Sequence, residues 1–194
     1  LGLYSEAISS FDRLIMIKPD FSDAYVNRGF ARERLIDSTG ALQDYSRAIE
    51  LDPNSILAYS NRAMLWSDLN DSVYAFKDIN YALKLRPNEP LLLRNLGLIY
   101  VKFNNLTEGL KQLNAAIEIN KNYSLAYENR GYIKHLTGKY NAAIEDYNIA
   151  IKLSPKSADS YFNRAASWFK LGKNNNACKD LKKSSELGNQ RATE

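Results

Sequence analysis

The 194-residue sequence is poor in the residues from which catalytic centres are usually built. It has one cysteine, Cys178, and one histidine, His135. A single thiol closes no internal disulfide, and neither a multi-cysteine metal site nor a two-histidine site can be assembled. Nine glycines and five prolines are too few for a collagen-like or low-complexity chain. No run approaches the ~18 apolar residues of a membrane-spanning helix, and no leading basic-then-apolar segment resembles a signal peptide. A strong excess of one charge is missing too. The 26 Lys and Arg face 22 Asp and Glu, for a net charge of +4, less than a committed nucleic-acid binder gathers.

What the sequence does contain is a period. Pro19, Pro53, Pro87 and Pro155 are spaced by 34, 34 and 68 residues, with Lys121 on the missing beat. Units of 34 residues starting at Ser22, Ile56, Pro90, Ser124 and Ala158 agree slot by slot. Slot four holds Tyr25, Tyr59, Leu93, Tyr127 and Tyr161. Slot six is always Asn. Slots eight, twenty and twenty-seven are small: Gly29, Ala41 and Ala48 in the first unit, Ala165, Ala177 and Ser184 in the last. Slots four, seven, eight and eleven share one helical face. Slots twenty, twenty-four, twenty-seven and twenty-eight share another, so each unit reads as two helices, A and B. Gly138 and Gly172 fall between them, where a tight turn is needed. Small residues at slots eight and twenty let the two backbones approach, and proline at slot thirty-two stops helix B.

This pattern resembles the tetratricopeptide repeat (TPR), whose repeat length is also ~34 residues. The departures are Leu93 at slot four, Lys121 and Asn189 in place of proline, and Arg32 and Lys134 at slot eleven. The resemblance implies an all-α fold: a right-handed α-solenoid, or superhelix, of antiparallel helix pairs. The expected organisation is a single array over 1–194. Residues 1–21 form a half repeat with helix B only. Complete repeats cover 22–55, 56–89, 90–123, 124–157 and 158–191, and 192–194 form a tail. Helix A is predicted near 22–35, 56–69, 90–103, 124–137 and 158–171, with eleven helices in all. The missing first A helix and the absence of a starting Met lead to the expectation that the chain is a piece of a longer protein. Its localisation stays open; the cytoplasm is favoured, and a secreted or periplasmic parent is compatible. Ile8, Phe11 and Ile15 should be partly uncovered and invite association of copies through residues 1–17.

The period also places the candidate functional residues. His135 at slot twelve and Cys178 at slot twenty-one fall on different helices with no third partner, so they read as a surface histidine and a small buried cysteine. The expectation is a chain that is not an enzyme and has no cofactor or metal. Asn27, Asn61, Asn95, Asn129 and Asn163 occupy slot six mid-helix, although Asn is about 0.6 kcal/mol worse than Ala there. Slot six lies beside slots two, five, nine, twelve and thirteen. The family resemblance implies that this stripe lines a concave groove, where a ladder of Asn grips an extended peptide. Each amide offers one donor group and one acceptor to a peptide unit. The competing reading is that the Asn residues bond between repeats. The stripe adds Phe30, Met64, Leu98 and Tyr132 at slot nine, with Arg94 and Phe162 at slot five. The family's carboxylate-clamp pattern is not reproduced, because its positions carry Val26, Phe30, Ser60 and Met64.

Slot seven is Arg28, Arg62, Leu96, Arg130 and Arg164, and slot twenty-three is Asp44, Asp78, Gln112, Asp146 and Asp180. Arg and Asp disappear together in one repeat, which predicts ion pairs inside each hairpin: Arg28–Asp44, Arg62–Asp78, Arg130–Asp146 and Arg164–Asp180. The favoured function is a non-catalytic scaffold binding a protein or peptide, either extended or as a partner helix. The alternative is a self-assembly module. Nucleic acid ranks last, supported only by Lys170, Lys173, Lys179, Lys182 and Lys183.

Overall fold

The computed structural model describes residues 2–192, which form eleven α-helices and no strand. They are α1 (Gly2–Ile17), α2 (Ser22–Arg34), α3 (Ser38–Leu51), α4 (Ile56–Asp68), α5 (Ser72–Leu85), α6 (Pro90–Lys102), α7 (Leu106–Ile119), α8 (Ser124–Leu136), α9 (Tyr140–Leu153), α10 (Ala158–Lys170) and α11 (Asn174–Glu186), followed by a 3₁₀ turn at Gln190–Ala192. The even-numbered helices are the A helices. Each stops one residue short of the sequence expectation, because slot fourteen already serves as the C-cap.

The turn chemistry explains the sharp boundaries. Slot fifteen takes positive φ in every complete repeat: Ile36 (66°), Asn70 (63°), Asn104 (61°), Gly138 (75°) and Gly172 (70°). The following amide turns back onto the helix, as in Lys139 N to Lys134 O at 2.8 Å, which satisfies a terminal carbonyl. Side chains of Asp37, Asp71 and Asn105 then accept from Gly40 N, Tyr74 N and Glu108 N to start the B helices. Helices α4 and α10 are capped in the same way by Ser55 and Ser157.

Ile36 is the misfit in this set. A β-branched residue at positive φ clashes with its own carbonyl, at about 1–2 kcal/mol. Its side chain is 88% exposed, so it contributes little burial in return. Ile36→Gly is therefore expected to stabilise the chain by about 1 kcal/mol, after the added freedom of the unfolded glycine is subtracted. Chemical denaturation measures this, and a lower stability would refute the strain.

The chain divides into two compact units, residues 1–103 and 104–194. The division falls within the repeat 90–123, the one whose slots seven and twenty-three carry Leu96 and Gln112. In the first unit α1 packs on α2, and α2 through α6 follow in sequential contact, with α2 and α6 also touching α4. Its core has two clusters, one around Tyr25, Tyr45 and Leu65, the other around Ile79, Leu92, Leu96 and Ile99. Full burial of such side chains contributes about 1.5–3 kcal/mol each. In the second unit α7 to α11 pack in the same sequential manner around Leu113, Ile133, Ile144 and Tyr147.

Helix α1 buries no residue completely. Ile8, Phe11 and Ile15 are half-buried, while Leu3, Met16 and Ile17 are 81%, 84% and 77% exposed.

Candidate functional site

In four repeats a charged seam ties helix A to helix B. Arg28 grips Asp44 with two bonds, Nε to Oδ2 at 2.9 Å and Nη2 to Oδ1 at 2.6 Å. The same two-bond grip joins Arg62 to Asp78 (2.7 and 2.9 Å), Arg130 to Asp146 (2.9 and 2.7 Å) and Arg164 to Asp180 (both 2.7 Å). The carboxylates are nearly sealed, and the guanidinium groups reach solvent at one edge. Paired geometry of this kind is the strong form of the charge-assisted hydrogen bond. Each guanidinium also lies over the slot-four ring of its own repeat, 5.4 Å from Tyr25, 5.8 Å from Tyr59, 5.3 Å from Tyr127 and 5.5 Å from Tyr161. Leu93 and Leu96 remove ring and cation together in the remaining repeat.

Two features of this seam escaped the sequence reading. The third guanidinium nitrogen bonds slot twenty-five of the preceding repeat: Asp12 at 2.7 Å, Ser46 at 2.9 Å, Asn114 at 2.8 Å and Asn148 at 2.6 Å. Each Arg thus ties its own hairpin to the one before it. The slot-eleven departures also find their reason. Arg32 and Lys134 send a second cation to Asp44 and Asp146, each at 2.8 Å.

The slot-six asparagines do not behave alike. Asn95 is 7% exposed. Its Nδ2 donates to Ser60 Oγ at 2.8 Å, and its Oδ1 accepts from Arg94 at 3.1 Å. It therefore bonds between repeats and departs from the ladder expectation, since a buried amide spent on Ser60 cannot also hold a peptide. Asn27 is exposed and donates to Asp23 O, one turn back, at 2.9 Å. Asn61, Asn129 and Asn163 are half-buried.

Among the neighbours expected in the groove, Phe30 and Tyr132 are 47% and 40% exposed, and Leu98 is half-buried. Met64 packs against the core. Phe162 lies under the Arg191 guanidinium, 4.9 Å from its ring centre, and Arg191 also bonds Asp159 at 2.8 Å.

Further polar bonds join successive A helices. Glu128 accepts from Ser160 of the next repeat and from Ser157, the N-cap of α10. His135 is half-buried rather than a surface residue, with Nδ1 2.9 Å from Ser167 Oγ and its ring edge-on to Tyr140. Burial first, and then the charge of Lys170, hold its pKa below the ordinary imidazole value. Cys178 is exposed, not buried as slot twenty-one suggested, because no further described helix covers α11 at this position. Tyr45 donates to Glu33 at 2.9 Å, and burial raises the Glu33 pKa despite that bond. Among the described residues no group of three or more His, Cys, Asp and Glu could hold a metal ion, and no helix is long and apolar enough to cross a membrane.

Comparison with known proteins gives the same architecture. Residues 131–172 match the family model described as "TPR repeat", and residues 94–123 match that described as "Tetratricopeptide repeat". No curated protein matches the sequence. A chain in the crystal structure of the APC/C hetero-tetramer Cut9–Hcn1 superimposes with a TM-score of 0.86 at 20% identity, covering 99% of this chain and 39% of that one. This chain thus spans well under half the length of that neighbour. A chain from the functional characterization of Pseudomonas aeruginosa pilF gives 0.77 at 20% identity, covering 88% of this chain and 79% of that one. YrrB, described as a TPR protein with an unusual peptide-binding site, gives 0.59 at 21% identity, covering 94% of both chains. At such identities the likeness speaks for the fold alone.

Proposed function

We propose that this tetratricopeptide-repeat chain is an interaction scaffold that holds an extended peptide along the slot-six stripe of the A helices within a compact unit. The fold is a protein-interaction scaffold in general, and the peptide is the specific part of the reading. The observation that carries it is the recurrence of Asn at a helix-interior slot where four of the five side chains are not buried. Asn27 and Asn61 serve the first unit, Asn129 and Asn163 the second. Phe30 and Tyr132, both exposed beside this stripe, would select among peptide side chains. That YrrB is a TPR protein with a peptide-binding site adds support.

The test uses a peptide selected on the wild-type chain from a displayed random library. Each amide exchanging hydrogen bonds with the peptide contributes about 0.5–1.5 kcal/mol. The triple variant Asn61→Ala, Asn129→Ala, Asn163→Ala should bind about 10- to 1,000-fold more weakly and keep its fold, since Ala favours the helix. Asn95→Ala should do the reverse. It leaves the Ser60 hydroxyl, 1% exposed, without its donor and lowers stability by about 1–2 kcal/mol. Unchanged peptide affinity of the triple variant, with a lowered melting temperature, would show that all five amides serve the array.

The uncovered apolar side of α1 favours one second reading, association of copies through residues 2–17. Sedimentation velocity over a concentration series separates it from the first, because a monomer at all concentrations excludes it.

A further inference from the structure

We propose a second docking site, off the slot-six stripe: a cleft between α4 and α5 that takes a short acidic segment of a partner, with one aromatic residue between two carboxylates. The cleft has a volume of about 600 Å³, within the range that small ligands and short peptide segments fill. Its position follows from a defect in the repeat. At four junctions the slot-seven Arg reaches the slot-twenty-five side chain sixteen residues earlier. At the fifth the equivalent pair is Asn80 and Leu96, and leucine has no donor to offer. Leu96 turns into the core, and the exposed Asn80 lines the cleft.

The lining has a definite chemistry. Tyr59 and Tyr81 form a tilted ring pair with centroids 4.5 Å apart, a surface on which a further aromatic ring can pack. Lys77 and Lys84 flank it, and both are exposed. The carboxylate in the lining, Asp78, is held by Arg62 at 2.7 and 2.9 Å, so the two ammonium groups leave the cleft positive. An acidic guest matches that charge. Spacing narrows the guest further. Lys77 and Lys84 lie two turns apart on one helix face, about 10 Å along the axis. An extended chain rises about 3.3 Å per residue and turns every second side chain to the same face, so carboxylates at positions i and i+4, about 13 Å apart, reach the two flexible lysines, and an aromatic residue at i+2 faces the ring pair between them. The Asn80 amide sits between them, placed to bond a peptide unit of the guest.

The probe is a fluorescein-labelled peptide Gly-Glu-Ser-Trp-Ser-Glu-Gly, read by fluorescence anisotropy in about 50 mM sodium chloride, where exposed charges are weakly screened. Its counterpart carries Gln at both Glu positions. The expected result is saturable binding of the Glu peptide, weakened about 10-fold or more by the Gln exchange and equally by Lys77→Glu with Lys84→Glu. Both lysines are exposed, so this variant should keep the helical circular-dichroism spectrum of the wild type. Asn61→Ala should leave the affinity unchanged, which sets this site apart from the slot-six stripe. The proposal is overturned if the wild type fails to bind the Glu peptide, binds both peptides alike, or matches the double-lysine variant.

Discussion

Replacing Asp146 with alanine is expected to lower the unfolding free energy by about 3 kcal/mol. Arg130 grips this carboxylate through Nε and Nη2 at 2.9 and 2.7 Å, and Lys134 adds a third bond at 2.8 Å. Its side chain is only 3% exposed, against 19% and 22% for its partners. Alanine strands two cations beside a dry pocket, and their partial access to water keeps the loss near the lower end for broken buried pairs. The neighbouring carboxylate fixes Arg130 firmly in its charged form. Asp159→Ala is the matched control. It breaks the exposed pair with Arg191, 58% and 65% exposed, and should cost less than about 1 kcal/mol. Urea denaturation of the two variants decides the matter, and equal small losses would mean that the seam orients the helices without stabilising them.

Gly131→Val should be nearly as damaging, at about 3 kcal/mol. A Cβ built at Gly131 lies 2.9 Å from Tyr147 Cε1 and 3.1 Å from Cδ1 and Cζ, closer than such atoms tolerate. Tyr147 is fully buried and cannot swing aside. The same contact recurs between Gly29 and Tyr45 at 2.9 Å, whereas Ala63 is matched by Ile79 and Ala165 by Leu181. Tyrosine at slot twenty-four therefore always meets glycine at slot eight, both alanines meet an aliphatic residue, and Gly97 opposite Leu113 is the one glycine without a tyrosine. Gly131→Ala should lose about 1–2 kcal/mol, overpacking being partly offset by helix propensity. Adding Tyr147→Leu should recover much of it, because the Ala–Leu pair is the one the last repeat uses. This exchange also removes a hydroxyl that is buried without a hydrogen-bond partner among the described residues. A double-mutant cycle should give a coupling of about 1 kcal/mol or more. Strict additivity would show that the two positions do not feel each other.

The sequence by itself determined the helix pairs and their register. Both follow from local causes repeated many times: the spacing of small and aromatic residues, the turn at slot fifteen, and the proline that stops helix B. The Arg–Asp seam could be read because its two members vanish together in one repeat. Only the tertiary structure disclosed the third arm of that seam, since Asp12, Ser46, Asn114 and Asn148 span three residue types and their common role lies in where they sit. It likewise separated five asparagines that are identical in residue and slot. Asn95 meets Ser60 across a closely packed junction and is buried there, while Asn27 stays in solvent. For Cys178 the slot suggested burial, yet burial belongs to the neighbouring element and not to the residue. At slot twenty-one Ile144 is covered and Cys178 is exposed. A repeated sequence fixes what each helix presents; what packs against that face decides whether a side chain holds the fold together or is left to meet a partner.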